Sequence, residues 1–196
     1  GAALAGLLDG IDAISNLQGE NIGGGRWTPE RKQAIVNSRV ETGQALCVAL
    51  RLRTEQSQQA PATLLQASAS GYYGLWQNNA PACDEGAPSG TGFLAETCRQ
   101  WEKSTVPVEA LGIRRCVLRF APVLGKKADG TPGGFLERML PPFRMFVGGP
   151  LGSGKQPFCW THLEDVAGAA ALLLQRPDLT GTFNICAPRT PSMSEF

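Results

Sequence analysis

Residues 62–74 read ATLLQASASGYYG. From Ala62 to Ser70 the run carries no charge and shows no helical period, and GYYG turns out of it. A short apolar run of this kind reads as a strand buried on both faces. Such strands belong to parallel sheets covered by helices on either side. In a parallel sheet ligands bind at the carboxyl edge. Ser68, Tyr72 and Tyr73 stand at that end of the run and are the first candidate site residues.

Working outward, the chain alternates strands with helices. Upstream, Gly10 to Gly19 (GIDAISNLQG) is a buried strand feeding a loop. Thr28-Pro29 starts a helix, with the Thr28 hydroxyl as N-cap and Pro29 where no N–H is missed. Ile35, Val36, Val40, Leu46, Val48 and Leu50 follow at roughly helical spacing, and Gly43 weakens the middle. Residues 54–61 are a polar loop. Downstream, residues 75–92 are rich in turns. From Phe93 a helix places Leu94, Cys98 and Trp101 on one face, Pro107 should break or kink it, and Gly112 closes the segment. Ile113 to Phe120 is a third strand, and residues 121–134 read as a loop. FLERMLPPFRMF is a short amphipathic helix that Pro141-Pro142 should stop. Phe158 to Thr161 is a short strand. Thr161-x-x-Glu164 is a capping box opening the helix Leu163 to Gln175, and Thr182 to Ala187 is the last strand. Strand–helix alternation with apolar strands predicts an α/β fold, a doubly wound and largely parallel sheet.

The chain has 196 residues, with 18 Lys+Arg against 17 Asp+Glu and a formal net charge of +1. That balance excludes a general electrostatic grip on nucleic acid or an anionic membrane. No apolar run approaches the length of a bilayer span. The six cysteines form no C-x-x-C and only one His exists, so no metal site is expected. Cysteines inside strand-like runs read as buried free thiols of a reducing, intracellular compartment, with cytoplasm, chloroplast and mitochondrion left open. The opening GAALAGLLDG reads as the tail of a helix, and PRTPSMSEF stops where a helix should begin. The chain is therefore expected to be part of a longer protein. Its sheet would be incomplete at both ends, with partner chains or further residues covering the cut edge.

Gly149 to Lys155 matches G-x-x-x-x-G-K, but Gln156 stands where a P-loop needs Ser or Thr, and no helix follows. It reads as an irregular loop near the substrate side, with Lys155 in solvent or against a partner. His162 reads as a structural group at a helix start, and Asp165 as a partner of that helix dipole.

The order of segments GIDAISNLQGENI, RWTPERKQAIVNSRV, SASGYYG, FLAETCRQWE, LRFAPVLG, MLPPF, GGPLGSGKQ and WTHLEDVAGA resembles one family throughout. It is that of the atypical, extended short-chain dehydrogenase/reductases of the NAD-dependent epimerase/dehydratase type, close to the cell-division-inhibitor (SulA-like) group. The resemblance implies a Rossmann fold binding NADP or NAD. Residues 1–125 would be the partial dinucleotide-binding domain and 126–196 a partial substrate-side region. Asn16-Leu17-Gln18-Gly19 stands where the family has N-L-A-G beside the cofactor ribose, with Gln18 a departure. Ser68 falls close to the active-site Ser, and Arg119 near the nicotinamide end. The Gly-rich pyrophosphate turn would lie upstream of Gly1. The family's Tyr-x-x-x-Lys is replaced by Phe93 and Thr97, and Lys103 lies further along the helix. Tyr72 or Tyr73 would then have to supply the proton. Two readings stay open: an oxidoreductase or epimerase-like enzyme with a non-standard acid, and a non-catalytic structural or regulatory subunit of a larger assembly.

Overall fold

The computed structural model describes residues 1–75, 82–149 and 152–196. A short helix α1 (Ala2–Gly6) leads into strand β1 (Ala13–Asn16). Helix α2 (Pro29–Glu55) starts as the sequence indicates, with the Thr28 hydroxyl accepting the Arg31 N–H, and runs unbroken through Gly43. Strand β2 (Thr63–Ala69) passes into a 3-10 turn, Ser70–Tyr73. Helix α3 (Phe93–Ser104) ends before Pro107, which opens a second 3-10 stretch, Val106–Leu111, followed by β3 (Arg114–Phe120).

These strands and the last one, β7 (Gly181–Ile185), form one parallel sheet in the order β1-β2-β3-β7. The expected doubly wound arrangement is present. Alternate residues of β2 serve opposite layers. Leu64 packs with Leu46, Ala49 and Leu50 of α2 and with Val108 and Ile113. Leu65 packs on the other face with Cys116, Leu118, Ile185 and Leu173, the last from helix α5 (Leu163–Gln175). Fully burying one such side chain contributes roughly 1.5–3 kcal/mol. Arg53, 2% exposed, holds α1 against α2 by donating to Ala5 O, Gln59 O and the Asp9 carboxylate.

Three expectations are corrected. Residues 121–134 are not a plain loop. They form β4 (Val123–Lys126) and β5 (Pro132–Gly133), two strands of a small second sheet completed by β6 (Thr161–His162), in the order β5-β4-β6. The hairpin closes at Asp129-Gly130: Asp129 accepts both the N–H and the hydroxyl of Thr131, and Gly130 takes φ +80, a conformation that favours Gly. Pro141-Pro142 do not stop the fourth helix, α4 (Gly134–Arg144). A proline lacks a donor but keeps its acceptor, and Pro141 O and Pro142 O take the N–H groups of Met145 and Val147. The N-cap of α5 is His162, not Thr161. The His162 Nδ1 accepts the Glu164 N–H at 3.3 Å, and the strand reads 161–162 rather than 158–161.

Gly43 marks the crossing of α2 and α3. A Cβ there would lie 2.0 Å from Ser104 Oγ and 2.9 Å from Ser104 Cβ. Gly43→Ala should therefore destabilise the chain by about 1–3 kcal/mol through overpacking, although alanine favours an exposed helix by up to about 1 kcal/mol. An unchanged or raised urea midpoint would refute this.

Candidate functional site

Ser68, Arg119 and Asn184 occupy one rung across β2, β3 and β7, near the carboxyl edge of the sheet. Equal register places all three side chains on the same face. Ser68 and Arg119 are buried. Glu102 reaches them from the third turn of α3, a helix whose inner face also carries Cys98 and Trp101. Its carboxylate takes two bonds from Arg119, Nε at 2.9 Å and Nη2 at 3.0 Å, and accepts the Ser68 hydroxyl at 2.6 Å. Arg119 Nη1 donates to the Tyr73 hydroxyl at 2.9 Å and to Glu85 O at 3.2 Å. The Tyr73 hydroxyl in turn donates to Asn184 Oδ1 at 2.7 Å, and Asn184 Nδ2 donates to Cys83 O. The Tyr72 ring lies against the Arg119 guanidinium, 3.4 Å from its centroid.

Burial works against the charged form of Arg119. The bonds it donates to Glu102 and Tyr73, with the Glu102 charge, outweigh it and raise its pKa above the ordinary arginine value. Cys98 beside this group is pushed up to about 11, chiefly by burial and then by the Glu102 charge. A desolvated ion pair persists when its remaining lone pairs and protons are also satisfied, and here the bidentate geometry, Ser68 and Tyr73 do that.

A second group stands at the end of β1. Asn16 is buried and donates to Gln66 Oε1 at 2.8 Å, while Gln66 Nε2 donates to Ala67 O. Asn16 Oδ1 also receives the Gln18 N–H at 3.4 Å, which fixes the peptide turn beyond the strand. Leu17 is 67% exposed on that turn. Gly19 lies against Arg39: a Cβ there would be 2.8 Å from the guanidinium carbon.

The structure thus joins Ser68, Tyr73 and Arg119 in one network, with Tyr72 stacked on it. Asn16, Leu17 and Gly19 form a separate ledge one strand away. Phe93, at the start of α3, packs edge-on to Trp27 at 5.3 Å with Lys32 Nζ 5.4 Å from its ring centroid. The Thr97 hydroxyl is buried and donates to Phe93 O. Lys155 is exposed on an irregular segment; residues 150 and 151 of the P-loop look-alike lie outside the described residues. Sequence reading missed Glu102, Gln66 and Asn184. Glu102 had a signal, one helical turn beyond Cys98 on the inward face. Gln66 and Asn184 were visible as amides inside apolar strands.

A model of the NAD dependent epimerase/dehydratase family matches residues 1–186. The chain belongs to this epimerase/dehydratase family. Among its relatives, an epimerase family protein of Mycobacterium bovis is 36% identical over 189 residues, 96% of this chain and 58% of that protein. One of Bacillus subtilis is 36% identical over 196 residues, 100% of this chain and 61% of that protein. The chain thus spans about three-fifths of the length of these curated epimerase family members. The crystal structure of human epimerase family protein SDR39U1 (isoform 2) with NADPH superposes with a TM-score of 0.82 at 31% identity, covering 98% of this chain and 63% of that one. A nucleoside-diphosphate sugar epimerase of Corynebacterium glutamicum gives 0.77 at 30% identity, covering 97% and 38%. The narrower kinship with cell-division-inhibitor proteins finds no support among these epimerase relatives. Among the described residues no helix is long and apolar enough to cross a membrane.

Proposed function

We propose that this chain is the larger part of an NADP- or NAD-binding, epimerase-like short-chain dehydrogenase/reductase that works without a Tyr-x-x-x-Lys pair. The observation that carries the reading is its likeness to the NADPH-bound human family member, together with the ledge at the end of β1. That ledge fits a dinucleotide. Its turn is held by Asn16 and Gln66, an open apolar side chain (Leu17) lies at the carboxyl edge, and Gly19 keeps the loop close to α2. Ligands of parallel sheets bind at this edge. Residues 1–125 would then face the dinucleotide and 126–196 the substrate.

When bound, the dinucleotide supplies or accepts a hydride. The chain's own part is to hold the site and to move a proton. Phe93 has no proton to give. The Ser68 and Tyr73 hydroxyl protons are held by Glu102 and Asn184 at 2.6 and 2.7 Å. Tyr72 is half-buried on Arg119, and among the described residues no hydrogen bond holds its hydroxyl. Of the hydroxyl groups Ser68, Tyr72 and Tyr73, Tyr72 is therefore the proposed proton donor, while Ser68, Tyr73 and Arg119 act as the frame that positions it.

The test is calorimetric titration of the full-length protein with NADPH and NADH, followed by turnover measurements on Tyr72→Phe. Binding of one dinucleotide, weakened about tenfold or more by Leu17→Asp, is expected. Loss of the proton donor should lower turnover by about 10²–10⁴ with the dinucleotide affinity unchanged. No binding of either dinucleotide would end this reading. The commitment of Ser68 and Tyr73 inside the network favours a second reading, a dinucleotide-binding member without catalysis. Binding without turnover toward nucleotide-sugar or carbonyl substrates would select it.

A further inference from the structure

The six cysteines are unpaired as disulfides: Cys47, Cys98 and Cys116 are buried, Cys83 and Cys159 half-buried, and Cys186 exposed. The expectation of buried thiols in strand-like runs holds for Cys116 and fails for Cys159 and Cys186. These two meet. The Trp160 carbonyl accepts the Ala187 N–H at 2.7 Å, and the Pro191 carbonyl accepts the Phe158 N–H at 2.8 Å. Pro157 and Ser192 form an antiparallel bridge. Residues 157–160 and 187–192 therefore run side by side. Cys159 and Cys186 each precede a residue of the same backbone hydrogen bond, and the Cys186 thiol lies close enough to raise the pKa of Cys159. Both segments are fixed against the end of β3: Ala121 N–H bonds Ile185 O at 3.0 Å, and Thr161 N–H bonds Pro122 O at 3.1 Å. Neither cysteine belongs to the polar network or the Leu17 ledge.

We propose that Cys159 and Cys186 are an oxidisable thiol pair, closed to an intramolecular disulfide by a peroxide, which fastens the segment entering β6 to the end of β7. With hydrogen peroxide the Cys186 thiolate attacks one oxygen. The O–O bond breaks, hydroxide leaves and takes up a proton as water, and Cys186 becomes a sulfenic acid. The Cys159 sulfur then attacks that sulfur. The S–S bond forms, the S–O bond breaks, and the second water leaves with the Cys159 proton. Two thiols lose two electrons in all, and one peroxide is reduced to two waters.

The order of events follows from the surroundings. Burial first, and then the neighbouring Cys186, push the Cys159 thiol up to about 12. The exposed Cys186 is the accessible thiol and reacts first. Once it is a neutral sulfenic acid, its part of the penalty on Cys159 disappears. Cys98, by contrast, faces Ser68 and Glu102 rather than a second thiol.

The experiment treats the reduced full-length protein with hydrogen peroxide, alkylates the remaining thiols and digests with trypsin. Lys155 and Arg189 bound a peptide, 156–189, that holds both cysteines and no other, because Arg176-Pro177 resists cleavage. This peptide should appear unalkylated and lighter by two hydrogens. After further cleavage at Glu164 its halves should separate only on reduction. In Cys186→Ser, oxidation of Cys159 should slow by about tenfold or more. In Cys159→Ser, Cys186 should instead proceed to its sulfenic and sulfinic acids. Sulfinic acid on Cys186 beside an alkylatable Cys159 in the unmutated protein would overturn the proposal, as would Cys186 linked between two molecules.

Discussion

Arg119→Met should lower the stability of the folded chain by about 3–5 kcal/mol, the range for removing one partner of a buried ion pair. The guanidinium side chain is 5% exposed and the Glu102 carboxylate 14%. Methionine preserves most of the side-chain volume, so the loss is mainly electrostatic. It leaves the Glu102 charge with the Ser68 hydroxyl, and takes the donor from Tyr73 and from Glu85 O. Arg119→Lys keeps the charge but not the two-pronged bond, and should recover only part of the loss. Arg119→Met combined with Glu102→Leu removes both charges and should lie well above the single variant, since an apolar pair of similar volume tolerates burial. Urea denaturation of the three variants gives the comparison. A single variant within about 1 kcal/mol of the unmutated chain would show that water reaches the pair and that its net worth is that of a surface contact.

Gly90→Ala is the second large effect. Gly90 lies where the 82–92 segment returns over the 3-10 turn, with its N–H on Tyr72 O at 2.9 Å. A Cβ would fall 2.1 Å from Tyr73 O, 2.4 Å from Tyr73 C and 2.7 Å from Gly74 Cα. All three are backbone atoms, so no side-chain rotation relieves the contact. Overpacking of a core typically costs 1–3 kcal/mol, and here about 3 kcal/mol is expected because the neighbours are rigid. The segment would lift from Tyr73 and release the carbonyls of Asp84 and Glu85 that now cover the network. Greater proteolysis within residues 82–92, together with a lower denaturation midpoint, is the expected signature. An unchanged midpoint would mean that the 82–92 segment is not held against the turn.

The parallel sheet was legible because Leu64-Leu65 and Val117-Leu118 sit in short strand-like runs without helical period, and because Thr28-Pro29 announces a helix by local chemistry. Elements decided at a distance were not. The β4–β5 hairpin has short strands with little apolar character, and only the Asp129-Gly130 turn signals it. Pro141 and Pro142 were read by their missing donors, yet their carbonyls close the end of α4. In the site, Ser68 and Tyr73 were identified from their position at a strand end, and Arg119 only through the family resemblance. Their union depends on Glu102, which arrives from another element, and on a shared rung with Asn184. Pairing register between strands joined by long crossovers is a tertiary fact that no local pattern encodes.

The ladders of the main sheet join positions far apart along the chain: Ala13 meets Thr63, Thr63 meets Arg114, and Cys116 meets Gly181. Each pairing must first close a long loop and bear that entropy before its contacts form. The helices can flicker into place locally, but β2 waits on both neighbours, so assembly of the sheet is slow relative to helix formation. Until β1 and β3 arrive, Leu64 and Leu65 stand bare on an unpaired strand. The stretch that decides the fold is therefore the one most prone to aggregate while that fold is being reached, and the one a chaperone would have to shield.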